Sequence, residues 1–121
     1  MWDDVGIVRD AEGLVRAGRA LEQLGAELDA TGLPDPSRTF NLTWHDWLNL
    51  HSQILVSRAI TAAALAREDS RGAHFRADFP ETGDLTTSAN THVRLDGDRI
   101  AVTTTPVAFT RVRPGETLIE D

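Results

Sequence analysis

The segment Glu68-Asp69-Ser70-Arg71-Gly72-Ala73-His74-Phe75-Arg76-Ala77-Asp78-Phe79-Pro80 gathers two arginines, a histidine and three acids into one short stretch. Guanidinium and imidazole groups at this spacing can hold an anion, dock against an acidic surface, or satisfy the carbonyl groups at a helix end. His74 stands between Arg71 and Arg76, which push its pKa down, while Glu68, Asp69 and Asp78 pull it up. Sequence alone leaves that balance open. One reading is an anion-facing or partner-facing cluster. The plainer one is a helix-end network, in which arginines take terminal carbonyls and pair with Asp69 and Asp78. Such networks perturb titration without catalysing anything.

Other chemistry finds little support. His45 and Asn49 share a helical face at i, i+4, but six residues rotate His51 by about 240° from His45. No second ligand stands at a usual zinc spacing. His51 falls on an apolar stripe as a packing residue, and His92 is expected to be solvated on a strand. Ser52, Ser57 and Ser70 offer hydroxyls, but none sits in a Gly-x-Ser-x-Gly elbow. No Gly-x-Gly-x-x-Gly follows a strand. Asp96 and Asp98 around Gly97 are too few for a calcium loop.

Composition narrows the classes further. The chain has 121 residues, no cysteine and a formal net charge of −7. Disulfides, thiol catalysis and iron–sulfur ligation by this chain are excluded. All twelve basic residues are arginine, so Schiff-base chemistry and a P-loop lysine are excluded too. An acidic chain without a basic patch argues against nucleic acid. No apolar run approaches the roughly 20 residues of a membrane span. Asp3 and Asp4 stand where an export signal carries positive charge, so a cytoplasmic location is expected.

The elements that must position the charged segment follow from periodicity. The length predicts a single domain over 1–121. Residues 1–8 form a short helix or an extended lead-in. Asp10 is a helix N-cap, and Leu14, Val15, Ala17, Leu21, Leu24 and Leu28 follow a helical period to a loop at Gly32, Pro34 and Pro36. Gly13, Gly18 and Gly25 weaken this helix by roughly 1 kcal/mol each relative to alanine, which suggests that another backbone approaches there. Thr43 or Asn41 caps the next helix. From Trp44 to about Asp69 neither glycine nor proline interrupts a run of about seven turns. Its wide apolar sector predicts the central helix. Gly72 is a C-cap or turn. The expected architecture is therefore mainly α: a small bundle of two to three helices over 1–72, an irregular loop over 73–90, and a C-terminal β-hairpin tail over 91–112. The hairpin alternates through Thr91–Leu95 and Arg99–Thr105 about an Asp-Gly-Asp turn, with a short third strand over 107–112.

Three blocks resemble the succinate dehydrogenase, fumarate reductase and L-aspartate oxidase flavoproteins in their C-terminal domain. Met1-Trp2-Asp3-Asp4-Val5-Gly6-Ile7-Val8-Arg9 is similar to the segment opening that domain, most closely in the aspartate oxidase branch. Asn49–Leu55 sits where the family has a Glu-Leu-x-Asn-like run. Ala66–His74 resembles Arg-Lys-Glu-Ser-Arg-Gly-Ala-His, and Asp78-Phe79-Pro80 resembles Asp-Tyr-Pro. The tail from Thr91 to Val112 resembles the terminal hairpin of the dehydrogenase and reductase branch instead.

The resemblance implies a helical domain packed on an FAD-binding part, where hydride passes between dicarboxylate and flavin. No position here matches the family's catalytic residues. The expected function is therefore the C-terminal domain, or a separate small subunit, of an FAD-dependent oxidoreductase, not catalytic alone. No catalytic, cofactor-binding or metal residue is expected in this chain, and FAD is expected in a partner chain or domain. An iron–sulfur protein has a place in such an assembly, which would put the chain at the periphery of a membrane. Arg71, Gly72, His74, Arg76, Asp78 and Trp2 are the interface or structural candidates. The alternative is a stand-alone binding or scaffolding protein that kept the bundle without a redox role. That alternative predicts a well-covered surface. A subunit instead predicts an exposed apolar patch above a few hundred Å² around Trp2, Val5 and Ile7.

Overall fold

The computed structural model describes residues 1–35 and 37–117; Pro36 of the expected loop lies outside them. The element order is α1 (Trp2–Val5), β1 (Val8–Arg9), α2 (Ala11–Thr31), α3 (Leu42–Ala66), β2 (Phe75–Arg76), a 3-10 turn (Leu85–Thr87), β3 (Ala89–Asp96) and β4 (Arg99–Pro106). Three helices, with α3 long and central, precede a C-terminal antiparallel hairpin. α3 packs on α2 and against β3 and β4.

Local chemistry sets the helix ends. Asp10 is extended, and its carboxylate accepts from the Gly13 N–H at 2.7 Å, which starts α2. Gly32 stops it at φ 61° and donates to the Leu28 carbonyl. Asn41, rather than Thr43, caps α3 by accepting from the Trp44 N–H at 3.1 Å. Its amide also donates to the Asp35 and Ser37 carbonyls, so one side chain holds both the loop and the helix start. The hairpin pairs Ala89↔Pro106 through Asp96↔Arg99. A two-residue loop closes it with Gly97 at φ 61°, the positive-φ first position of a II′ turn. The strands run slightly beyond the alternating residues, and no strand forms over 107–112 among the described residues.

A second pairing joins the ends of the helical region. β1 and β2 lie parallel, with Val8↔Phe75 and Arg9↔Arg76. Each strand has two residues, too few for periodicity to register. The stretch read as loop thus holds a strand, a 3-10 turn and two isolated bridges.

The core is small. Val5, Leu14, Ala17 and Ala64 form its buried cluster, with Leu21 beside it. α3 buries only Thr61 and Ala64, and the Thr61 hydroxyl donates to the Ser57 carbonyl. Trp44, Trp47 and Ile54 are half-buried, while Leu48, Leu50, Leu55, Val56 and Ile60 stay exposed. The wide apolar sector is therefore only partly covered by the described residues. Phe40, ahead of α3, is fully exposed at φ 53°.

The α2 glycines differ from the expectation of close backbone approach. A Cβ on Gly25 would meet only the Ile54 side chain at 3.7 Å, and one on Gly18 would meet nothing within 4 Å. Gly18→Ala is accordingly expected to raise stability by about 0.5–1 kcal/mol. Gly6→Ala is expected to lower it, because its Cβ would stand 2.6 Å from the Trp2 carbonyl oxygen. Urea denaturation followed by circular dichroism measures both; a destabilised Gly18→Ala or a neutral Gly6→Ala contradicts this packing.

Candidate functional site

The charged segment folds into a corner where α3 ends, α2 begins and β1 meets β2. α3 stops at Ala66, before the expected Asp69, and Arg67 is already extended. The reason is Arg76. Its side chain is 1% exposed, and Nη1 donates to the carbonyls of Ala64, Leu65 and Arg67 at 2.8–3.1 Å. Those are carbonyls that a continuing helix would have paired with its own N–H groups. The same guanidinium forks onto Asp78, with Nε to Oδ1 and Nη2 to Oδ2 both at 2.8 Å. Asp78 then accepts from the Ala11 N–H at 3.0 Å in the first turn of α2. One ion pair thus ties the C-terminus of α3 to the N-terminus of α2, matching the helix dipole at both ends. The Phe79 ring lies 4.9 Å from the Arg76 Cζ.

The neighbouring residues close the corner. Arg71 and His74 exchange backbone hydrogen bonds at 2.8 and 3.1 Å. Gly72 sits between them at φ 57°, the first position of a tight turn rather than a helix cap. The Arg71 side chain pins the following loop through the Thr82 carbonyl at 3.0 Å and the Ser88 hydroxyl at 2.6 Å. Asp69 bridges Arg67 at 3.0 Å and Arg71 at 2.8 Å. Buried Ser70 accepts from the Arg76 N–H at 2.9 Å and donates to the Phe79 carbonyl at 2.8 Å. Arg9 donates to the Ala73 carbonyl, while its Nε and the His74 Nε2 are buried without a hydrogen-bond partner.

Arg71, Gly72, His74, Arg76 and Asp78 are therefore one constellation, and Trp2 stands at its edge beside Ile7, Arg9 and Ala73. Trp2 is 85% and Ile7 60% exposed, with Met1 and Val8 also open. Val5 departs from the expected patch, since it faces the core. Sequence reading passed over Ser70 and Arg9 as members of the corner. A serine two residues before a glycine carries no signal until the 71–74 turn folds it inward. The other histidines lie apart. His51 contacts the Trp47 ring edge-on at 4.0 Å with Nε2 3.4 Å from the Asp29 carboxylate, and exposed His92 shares a hydrogen bond with Thr105 at 2.7 Å. Among the described residues no group of three or more His, Cys, Asp or Glu could hold a metal ion.

Arg76 holds the Asp78 carboxyl far below the usual carboxylate range, and the Ala11 N–H adds to the effect. The unfolded chain returns it to about 3.9. Between those values the unfolded state binds a proton that the folded state does not, so stability rises with pH there. The contribution is present above about pH 4 and is lost on acidification through the depressed value. Burial pushes His74 down from its ordinary 6.5, with Arg9 and Arg67 adding to the shift. Its contribution is likewise present above about pH 6.5 and declines as pH falls. Asp78→Asn is expected to flatten the acid limb of the stability profile, and His74→Gln the limb just below neutrality. Denaturant midpoints across pH measure both; a wild-type profile in either variant contradicts the assignment. Arg76→Met leaves Asp78 and three carbonyls unpaired, and is expected to cost about 3–5 kcal/mol in the same measurement.

Comparison with known proteins places this geometry. The family model described as fumarate reductase flavoprotein C-term matches residues 1–118. The chain is 39% identical over 112 residues to a fumarate reductase flavoprotein subunit of Mycobacterium tuberculosis, covering 92% of this chain and 19% of that one. It is 41% identical over 78 residues to an L-aspartate oxidase of Rhodospirillum rubrum, covering 64% of this chain and 22% of that one. Among solved structures, a mutant quinol fumarate reductase of E. coli superposes with a TM-score of 0.86 at 25% identity, over 96% of this chain and 20% of that one. The chain thus spans about a fifth of the length of these relatives. By the match over nearly its whole length and the likeness of fold, it belongs to the fumarate reductase flavoprotein C-terminal family.

Proposed function

We propose that this chain packs on the FAD-binding part of a succinate dehydrogenase, fumarate reductase or aspartate oxidase-like oxidoreductase, as its C-terminal domain or a separate small subunit, and is not catalytic alone. The observation that carries this reading is the uncovered apolar surface. Trp2, Ile7 and Val8 stand open beside the charged corner, and α3 leaves most of its apolar residues uncovered. Large exposed apolar patches mark interaction sites, and a helix apolar on most sides is one meant for burial. A stand-alone scaffold would have covered these residues.

FAD belongs to the partner in this reading because the residues here do not fit a dinucleotide. β1 leads directly into α2, the arrangement that elsewhere receives a pyrophosphate. Here Asp10 takes the Gly13 N–H and Asp78 takes the Ala11 N–H. Two carboxylates thus occupy the donors a phosphate would need, and repel it. Arg71, Gly72, His74, Arg76 and Asp78 shape the junction in this reading, and Trp2 is its exposed anchor. An iron–sulfur protein completes the assembly. No described helix is long and apolar enough to cross a membrane, so attachment to one would run through the assembly.

Co-expression with a neighbouring flavoprotein-like chain is the test. The pair is expected to co-purify with flavin absorbance, and activity on succinate, fumarate or aspartate is expected only with both parts present. Trp2→Ala, at a surface position outside the core, is expected to weaken association by about 2 kcal/mol in isothermal titration calorimetry while leaving the thermal melt unchanged. No association, or turnover by this chain alone, rejects the proposal.

A further inference from the structure

A second surface stands apart from the charged corner. α2, α3 and the β3–β4 turn wall an open groove of about 540 Å³. Val15, Leu65 and Ile100 give it apolar walls, and Arg19, Arg58 and Arg99 bring one guanidinium from each of three elements to it. Arg58 is oriented by donating to the Asp98 carbonyl at 3.3 Å. The side chains of Arg19 and Arg99 make no hydrogen bond or ion pair among the described residues. The groove's own acids, Glu22 and Asp98, leave both unpaired. In a chain of net charge −7 with 19 acids, two unpaired arginines stand exposed on one groove.

Gly18 is the independent observation. It lines the same groove, and nothing lies within 4 Å of where its Cβ would stand. Glycine inside a helix weakens it relative to alanine, and the described fold gives no steric reason for it. A backbone lying over the groove supplies one, because glycine lets a neighbouring chain approach closely.

We propose that this groove receives an acidic segment of the flavin-binding partner, with carboxylates on Arg19 and Arg99 and an apolar side chain against Leu65 and Ile100. This rests on the partner reading above and adds a contact separate from the Trp2 face. Guanidinium–carboxylate pairs supply its specificity, and complementary charge makes that part of the association sensitive to salt.

The test is calorimetric titration of the co-expressed flavoprotein-like chain with this chain, at about 50 and 500 mM NaCl, spanning strong to weak screening. Double charge reversal, Arg19→Glu with Arg99→Glu, is expected to weaken binding at least tenfold and to flatten its salt dependence. Gly18→Leu is expected to weaken binding to a similar extent while its thermal melt stays at or above that of the wild type. If both variants bind like wild type while Trp2→Ala weakens binding, the groove proposal falls and the partner reading stands. If the wild-type chains do not associate, both fall. If millimolar succinate or phosphate alone raises the melting temperature in an Arg19- and Arg99-dependent way, the groove holds small anions and the segment proposal is overturned.

Discussion

The Arg76–Asp78 pair organises the molecule. A buried guanidinium is costly by itself, on the order of several kcal/mol. It is stable here because all three of its nitrogens find acceptors: three carbonyls of the α3 terminus and both oxygens of one carboxylate. That carboxylate in turn holds the first turn of α2. The hydrophobic core of the described residues is only a handful of side chains, so the relative placement of the two long helices leans on this polar junction. Breaking one partner strands the others, which makes the corner cooperative.

From that junction the exposed apolar surface follows. Arg76 lies on β2, and β2 pairs with β1. β1 extends from the segment that carries Trp2 and Ile7. Fixing Arg76 therefore fixes the strand that presents the exposed apolar residues. The α2–α3 pair, held at this end, carries its uncovered apolar residues and its arginine-lined groove along a stretch of about 30 Å. A chain with so little of its apolar surface covered has the character of one layer in a larger body. The match to proteins about five times its length fits that description.

Much of this was legible in sequence. The Asp10 cap, the uninterrupted run after Asn41 and the Gly97 turn are local signals, and the structure places elements where they indicate. The helix-end network was one of two open readings of the arginines; Arg76 bonds the terminal carbonyls of α3, while Arg71 bonds the following loop. What escaped was non-local. The two-residue strands β1 and β2 pair across more than sixty positions, and nothing in either announces the other. Val5 was grouped with Trp2 and Ile7, but it closes α1 and joins the core, while Trp2 and Ile7 stay exposed. The α2 glycines suggested that another backbone approaches, whereas Gly18 has open space beside it, because the sequence shows where a side chain is missing and not what fills the gap.

Hydrogen exchange across the corner tests the central claim most directly. With Arg76 intact, the amides of Phe75, Ala77 and Ala11, bonded to the Ile7 carbonyl, the Arg9 carbonyl and the Asp78 carboxylate, should be protected together. In Arg76→Met they should lose protection together, while the amides of the β3–β4 hairpin keep theirs. Unchanged protection at Phe75, Ala77 and Ala11 in that variant would contradict the account.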